Sequence, residues 1–152
     1  MFLVTAAQSN LLLAEARFRG WISIGTADGY FSDGIKAHMD QMATYDALST
    51  VAAGDRDTYA AAMVASFSGN ELTQINYEYW IASFLNGPEA WANFRRSGFP
   101  VLAVNPFPGR TVDFITRLTY PPTEKLVNNE NYQAAITSQG PDNLDTKVWW
   151  DK

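Results

Sequence analysis

Five prolines between positions 100 and 122 divide the chain into two parts with different folding possibilities. Proline lacks a backbone N–H and blocks the interior of a helix, so long helices are excluded from this stretch. Before it, apolar residues recur at helical spacing in segments that end at glycines or polar turns. We therefore expect a mainly α-helical single domain or fragment, with a helical part at 1–98 and an irregular C-terminal part at 99–152 that packs on it.

The first part is predicted to hold several helices, each with its own start and stop signals. They cover about Ser9–Arg19, Thr26 or Asp28 to Met42, Asp57–Phe67, Glu71–Leu85 and Glu89–Arg96. Ser9 or Asn10 is the expected N-cap of the first helix, and Pro88 falls in the first turn of the last. Because apolar residues surround nearly the whole first helix, we expect it to be buried on more than one side.

The first two helices are predicted to form a hairpin. Phe18, Ala27, Phe31 and Gly34 follow the aromatic and small-residue spacing of a tetratricopeptide unit, in which small residues let two helices approach closely. A solenoid needs about three such units to be stable alone. The pattern therefore leaves two interpretations, a unit whose neighbours lie elsewhere or an ordinary helix pair.

The second part is predicted to be largely irregular. Residues 101–104 and 114–118 look extended and are candidates for one short two-stranded β-ribbon. A loop at Pro122–Asn129, a short helix at Asn131–Ser138 and a turn at 140–143 follow. The adjacent Trp149 and Trp150 are expected to pack back on the body, since exposing both to water is costly.

Charge and residue types exclude several functions. The net charge is −5 with only 11 scattered basic residues, which argues against a nucleic-acid partner. The absence of cysteine removes disulfides and thiolate sites, and His38, the single histidine, is expected to lie on the surface rather than in a metal site or a catalytic triad. We therefore expect no cofactor, no metal and no catalytic residues.

A glycosidase needs only two suitably placed carboxylates, and the chain offers eight candidates. No sequence context singles out any two of them as such a pair, so a carbohydrate-active enzyme is the least favoured function. The candidates are Asp40, Asp46, Asp55, Asp57, Glu71, Glu78, Glu89 and Glu124.

Four ordered motifs give the chain a family resemblance. They are LLLAEA at 11–16 followed by Gly20-Trp21, QINYEYWIASFLNGPEAWANFRRSG at 74–98, RLTYP at 117–121 with Glu124 and Asn128-Asn129, and DN at 142–143 with TKVWWD at 146–151. In this order the motifs resemble those of the C-terminal part of SusD/RagB-type outer-membrane nutrient-binding lipoproteins. The resemblance runs from residue 11 to residue 151 and so covers nearly the whole chain.

The resemblance implies a function at the bacterial surface. Proteins of this type lie on the extracellular face of the Bacteroidota outer membrane, bind oligosaccharides or polysaccharides and pass them to a SusC-type TonB-dependent transporter. This chain resembles the C-terminal scaffold portion, with the last tetratricopeptide-like helix pair. It has no lipid-anchoring cysteine and no apolar stretch long enough to span a bilayer, so by itself we expect it to be soluble.

Few sugar-contacting residues are suggested by the sequence. Trp21 and Tyr120 are the candidate glycan platforms, while Trp80, Trp91, Trp149 and Trp150 are interpreted as packing residues. Arg95 and Arg117 are expected to pair with carboxylates or carbonyls inside the fold.

Missing partner helices would leave apolar surface on the first two helices, which self-association would cover. The alternative function is a helical-repeat protein–protein interaction module without glycan binding. The Pro-rich part ending in Trp149 and Trp150 favours glycan capture, because a simple repeat adaptor does not need it.

Overall fold

The computed structural model of the chain describes residues 4–104 and 114–151, and every regular element in them is helical. The mainly α prediction is confirmed. The chain forms two compact units, Met1–Val101 and Leu102–Lys152. The α-helices are α1 (Ala6–Phe18), α2 (Ala27–Met42), α3 (Ala53–Ala65), α4 (Glu71–Ala82), α5 (Gly87–Ser97), α6 (Pro122–Val127) and α7 (Asn129–Gln139), with a short 3-10 turn at Ala47–Ser49.

The first helix begins earlier than predicted because Thr5 caps it. The Thr5 hydroxyl accepts a hydrogen bond from the Gln8 N–H at 3.1 Å, and the Gln8 side chain accepts one from the Thr5 N–H at 3.0 Å. This reciprocal pair is a capping box, which satisfies two N–H groups at the helix start. Ser9 and Asn10, the expected caps, instead donate to carbonyls one turn back.

The predicted hairpin forms between α1 and α2. Phe31 and Ile35 are buried against Ala7, Leu11 and Ala14 of α1. Gly34 is the point of closest approach, because a Cβ placed there would lie 2.7 Å from the Leu11 side chain. The small residue is therefore required for the two helices to pack at this distance.

The prediction that α1 is buried on more than one side is confirmed, because α1 packs on both α2 and α4 and its Glu15 side chain is bound by Arg96 of α5. Its buried face carries Ala7, Leu11 and Ala14, whereas Leu12 and Phe18 each keep 45% of their surface exposed. Of the apolar surface predicted on the first two helices, that on α1 is present, whereas no large apolar side chain of α2 is exposed.

We expect this surface to promote self-association of the isolated chain at high concentration, because two copies would remove Leu12 and Phe18 from water. Sedimentation velocity of the wild-type chain and of a Leu12→Glu/Phe18→Glu variant would measure this. The wild type should sediment faster as its concentration rises and the variant should not. A wild-type chain that remains strictly monomeric would contradict the prediction.

Two predictions for the second unit are wrong. No β-strand occurs in the described residues, so the ribbon between 101–104 and 114–118 does not form there. Thr116 donates its N–H and its hydroxyl to the carbonyl of Leu144, both at 2.9 Å, so the 114–118 segment pairs with the C-terminal loop. The segment predicted as a loop at 122–129 contains α6, which begins at Pro122 with Glu124 in its first turn. Proline and an acidic residue both favour a helix start.

Candidate functional site

Trp21, the first predicted glycan platform, lies just beyond α1. Its side chain is 70% exposed. The Arg19 guanidinium lies 5.3 Å from the centre of its ring, at the range of a cation–π contact. One face of this indole is therefore already occupied by a cation.

Tyr120, the second predicted platform, belongs to an aromatic and charged cluster in the second unit. Arg117 lies 4.9 Å from its ring centre, and the Tyr132 ring meets it edge-on at 6.0 Å. The Tyr120 hydroxyl also donates to the Gln139 side chain at 3.4 Å. These contacts hold the ring in place and leave less of it open to a ligand than the sequence suggested.

Arg117 is fixed at the centre of this cluster. Its guanidinium donates to Asp142 at 3.2 Å, and the two side chains are only 9% and 12% exposed. Asp142 also accepts from the Tyr120 N–H at 3.0 Å and the Tyr132 hydroxyl at 3.3 Å. The prediction that Arg117 pairs inside the fold is confirmed.

Beside Arg117 lies a cavity of about 180 Å³, next to a tryptophan that the sequence did not mark as a binding residue. Trp149 is 86% exposed, so the prediction that it packs on the body is wrong. Trp149 lies in a turn that is closed by the Asp151 N–H, which donates to the Val148 carbonyl at 2.9 Å. The cavity is lined by Arg117, Ser138, Gln139, Lys147, Val148 and Trp149.

The loop that leads to Trp149 is held by side-chain hydrogen bonds. Asn143 accepts from the N–H groups of Asp145 and Thr146, at 3.0 and 2.8 Å. The Thr146 hydroxyl donates to the Pro141 carbonyl at 2.7 Å. The side chains around the cavity therefore lie on a braced loop, on the end of α7 and, for Arg117, on the segment before α6.

A second cavity, of about 640 Å³, lies in the first unit. His38 is half-buried there, not solvated as predicted, and burial lowers its pKa. Among the described residues its Nδ1 has no hydrogen-bond partner. Phe84 and Leu85 border the cavity with 55% and 65% of their surface exposed. The lining residues are His38, Met42, Trp80, Ile81, Ser83, Phe84, Leu85, Gly87 and Ala90.

An ion pair that sequence reasoning missed links α1 to α5 and joins a buried carboxylate, Glu15, to a guanidinium, Arg96, that is 42% exposed. Glu15 is 2% exposed and accepts two hydrogen bonds from Arg96, at 2.8 and 2.7 Å, and one from Arg19 at 2.8 Å. Arg96 also donates to Asn93 and Asn76. Burial alone raises the pKa of Glu15, but the hydrogen bonds and charges of Arg96 and Arg19 outweigh it, so the pKa is lowered.

Glu78 is a buried carboxylate with a different environment. It is 5% exposed and accepts a hydrogen bond from the Tyr59 hydroxyl at 2.8 Å. Burial raises the pKa of Glu78 despite that bond. Burial and the neighbouring carboxylate also raise the pKa of Tyr59 to about 12.

Replacing Glu78 by glutamine should stabilise the chain at neutral pH. When the pKa of a carboxyl group is higher in the folded chain than in the unfolded chain, ionisation of that group destabilises the folded chain. The folded chain is therefore most stable below the unfolded pKa and loses this stability as pH rises through the folded pKa. Glutamine keeps an acceptor for Tyr59 and does not ionise. In urea unfolding at pH 7, the free energy of unfolding of Glu78→Gln should be larger than that of the wild type. The difference between the two should shrink near pH 4.

Glu130→Gln, at an exposed position of α7, is the control for this prediction and should change little. A Glu78→Gln advantage that does not depend on pH would contradict the explanation.

Comparison with known proteins assigns the chain to a family. The SusD-like profile, described as Susd and RagB outer membrane lipoprotein, matches residues 1–151. The chain belongs to the SusD-like family. Glu15 lies in the LLLAEA motif and Arg96 lies in the RRSG sequence. Two of the residues that carry the family resemblance therefore form the ion pair described above. No curated protein matches the sequence.

Solved structures of this family share the fold of the SusD-like chain. A chitin-binding protein is 34% identical, with a TM-score of 0.83, over 96% of this chain and 32% of its own. A SusD homologue from Bacteroides fragilis is 29% identical, with a TM-score of 0.81, over 96% of this chain and 34% of its own. A chitin-binding SusD homologue from Flavobacterium johnsoniae is 28% identical, with a TM-score of 0.80, over 100% of this chain and 37% of its own.

The SusD-like chain therefore spans about a third of the length of these structures. None of the helices in 4–104 and 114–151 is long and apolar enough to cross a membrane.

Proposed function

We propose that this SusD-like chain is the C-terminal scaffold portion of a surface protein that captures glycans. The observation that carries the proposal is its likeness, over 96% of its length and at 34% identity, to a solved chitin-binding protein. Because the family is one of outer membrane lipoproteins, the proposed location is the extracellular face of the outer membrane.

The proposed role is binding without catalysis, followed by delivery to a SusC-type TonB-dependent transporter. Sugar rings present faces of C–H groups that pack on flat aromatic side chains, and polar groups around them fix orientation. Trp21 and Trp149 offer such exposed rings. Trp21 and Tyr120 remain the predicted platforms, although Arg19 and Arg117 lie over their rings.

Isothermal titration with soluble oligosaccharides tests the capture proposal. The chain should bind at least one of chitin, starch or xylan oligomers and release no product from it. Turnover of a polysaccharide by the pure protein would overturn the non-catalytic role, and no binding to any glycan would overturn capture. Co-purification with a SusC-type transporter encoded by a neighbouring gene would test delivery.

The cavity beside His38 favours one alternative, an interaction module that receives a helix from another protein. Its apolar lining and the exposed Ile81, Phe84 and Leu85 are typical of surfaces that bind amphipathic helices. A Phe84→Glu variant separates the two functions. It should abolish capture of a helical partner if the alternative holds, and it should leave glycan titrations unchanged if glycan capture holds.

A further inference from the structure

We propose that the cavity beside Trp149 is a subsite for one pyranose ring that carries a carbonyl-type acceptor, either an N-acetyl group or a carboxylate. The inference rests on the proposed glycan capture and assigns it to particular side chains. It is built entirely from residues of the second unit.

The exposure of Trp149 supports a ligand site. A tryptophan that keeps 86% of its surface in water gives up the stabilisation that burial provides. It is nevertheless presented by a turn closed at 2.9 Å between Asp151 and Val148. Its ring and Val148 supply the apolar contact that the C–H face of a pyranose requires.

The size of the cavity fits a single sugar ring. At about 180 Å³ it is smaller than the roughly 300 Å³ at which sites for drug-sized ligands begin. A single sugar ring therefore suits it better than a long oligomer, whose remaining units would extend into solvent.

Hydrogen-bond donors without an acceptor in the described part of the chain border the cavity. Gln139 uses its side-chain oxygen to accept from Tyr120, which leaves its NH₂ group for a ligand. Lys147 is exposed and forms no ion pair among the described residues. The Arg117 charge is balanced by Asp142, so Lys147 is the cation that faces a ligand. These donors match a carbonyl or carboxylate oxygen.

The side chains around the cavity are held in place before a ligand binds. Arg117, Tyr120 and Asp142 are joined by hydrogen bonds and a cation–π contact, and Asn143 and Thr146 brace the loop. A ligand would therefore bind without ordering the loop, which reduces the entropic cost of association.

Titration of the full chain with three tetrasaccharides tests the subsite. Chitin tetramer carries N-acetyl carbonyls, tetragalacturonate carries carboxylates, and cellotetraose carries neither. We expect one of the first two to bind at least about tenfold more tightly than cellotetraose. Trp149→Ala should remove about tenfold of that affinity, and Trp149→Phe should restore part of it.

Trp150→Ala is the matched control, because Trp150 is the next residue and does not line the cavity. Lys147→Met should weaken binding and, for tetragalacturonate, reduce its salt dependence. Unfolding curves establish that each variant is folded. In wild-type protein the indole N–H resonance lost in Trp149→Phe should also shift when ligand is added.

The outcomes separate the subsite from the broader function. If the chain binds an oligosaccharide and Trp149→Ala binds it equally well with no shift of that resonance, the subsite is overturned while glycan capture stands. Equal affinity for cellotetraose would overturn the acceptor requirement. If no glycan binds, both proposals fail.

Discussion

Replacing Arg96 by methionine is expected to lower the free energy of unfolding by about 2 kcal/mol, because Glu15 is buried whereas Arg96 itself is 42% exposed. Methionine preserves the apolar stem of the side chain but leaves Glu15, which is 2% exposed, with Arg19 as its remaining cation. Asn93 would also lose the donor that now lies 2.6 Å from its side-chain oxygen. Removing the partner of a buried charge costs far more than the net value of the pair, because that charge stays desolvated.

Urea unfolding followed by tryptophan fluorescence measures this effect. The pKa of Glu15 is lowered in the folded chain, so its contribution is present above the unfolded pKa and lost as pH falls through the folded value. Arg96→Met should therefore cost most near pH 7 and less in acid. Arg56→Met is the control: it breaks contacts with Asp40 and Asp57 on the exposed surface and should cost much less.

A Glu15→Leu/Arg96→Met double variant separates a buried-charge effect from lost packing. Exchanging both partners for apolar side chains removes the desolvated carboxylate, so the double variant should be more stable than Arg96→Met alone. A double variant that is less stable than Arg96→Met would show that the pair stabilises the chain through its geometry rather than through its charge.

Most of the helices could be predicted from the sequence, because the signals that start and end a helix lie within a few residues of one another. Apolar spacing predicted α2, and Gly98 marked the end of α5, where it takes φ 76°. The Thr5-Gln8 capping box is an equally local signal, but the predicted cap was Ser9 or Asn10. Pro122 suggested a loop, although proline at a first helical position favours a helix and α6 begins there.

The contacts that define the candidate sites were not local. Glu15 and Arg96 are 81 positions apart, so nothing near either residue indicates that they meet. The same holds for Thr116 and Leu144, whose pairing replaced the predicted ribbon. A general preference for burying tryptophan predicts that Trp149 packs, but this preference does not determine where one side chain lies, and Trp149 is 86% exposed.

Replacing Gly34 by alanine is expected to destabilise the chain by about 2 kcal/mol. A Cβ at this position would lie 2.7 Å from Cγ of Leu11 and 3.3 Å from the Ala7 carbonyl oxygen. Leu11 is 1% exposed and sits in the core, so it has little room to move. The gain in helix propensity from glycine to alanine, about 1 kcal/mol, is therefore outweighed by the clash.

Gly54→Ala is the matched control for this prediction. Gly54 is also helical, in α3, and a Cβ there would meet nothing within 4 Å. The same exchange should raise the free energy of unfolding by up to about 1 kcal/mol. If urea unfolding shows that the free energy of unfolding falls in Gly34→Ala and rises in Gly54→Ala, the close approach of α1 and α2 depends on Gly34. Two stabilising variants would mean that the hairpin can widen at no cost, and that the small-residue pattern of the sequence does not set its packing.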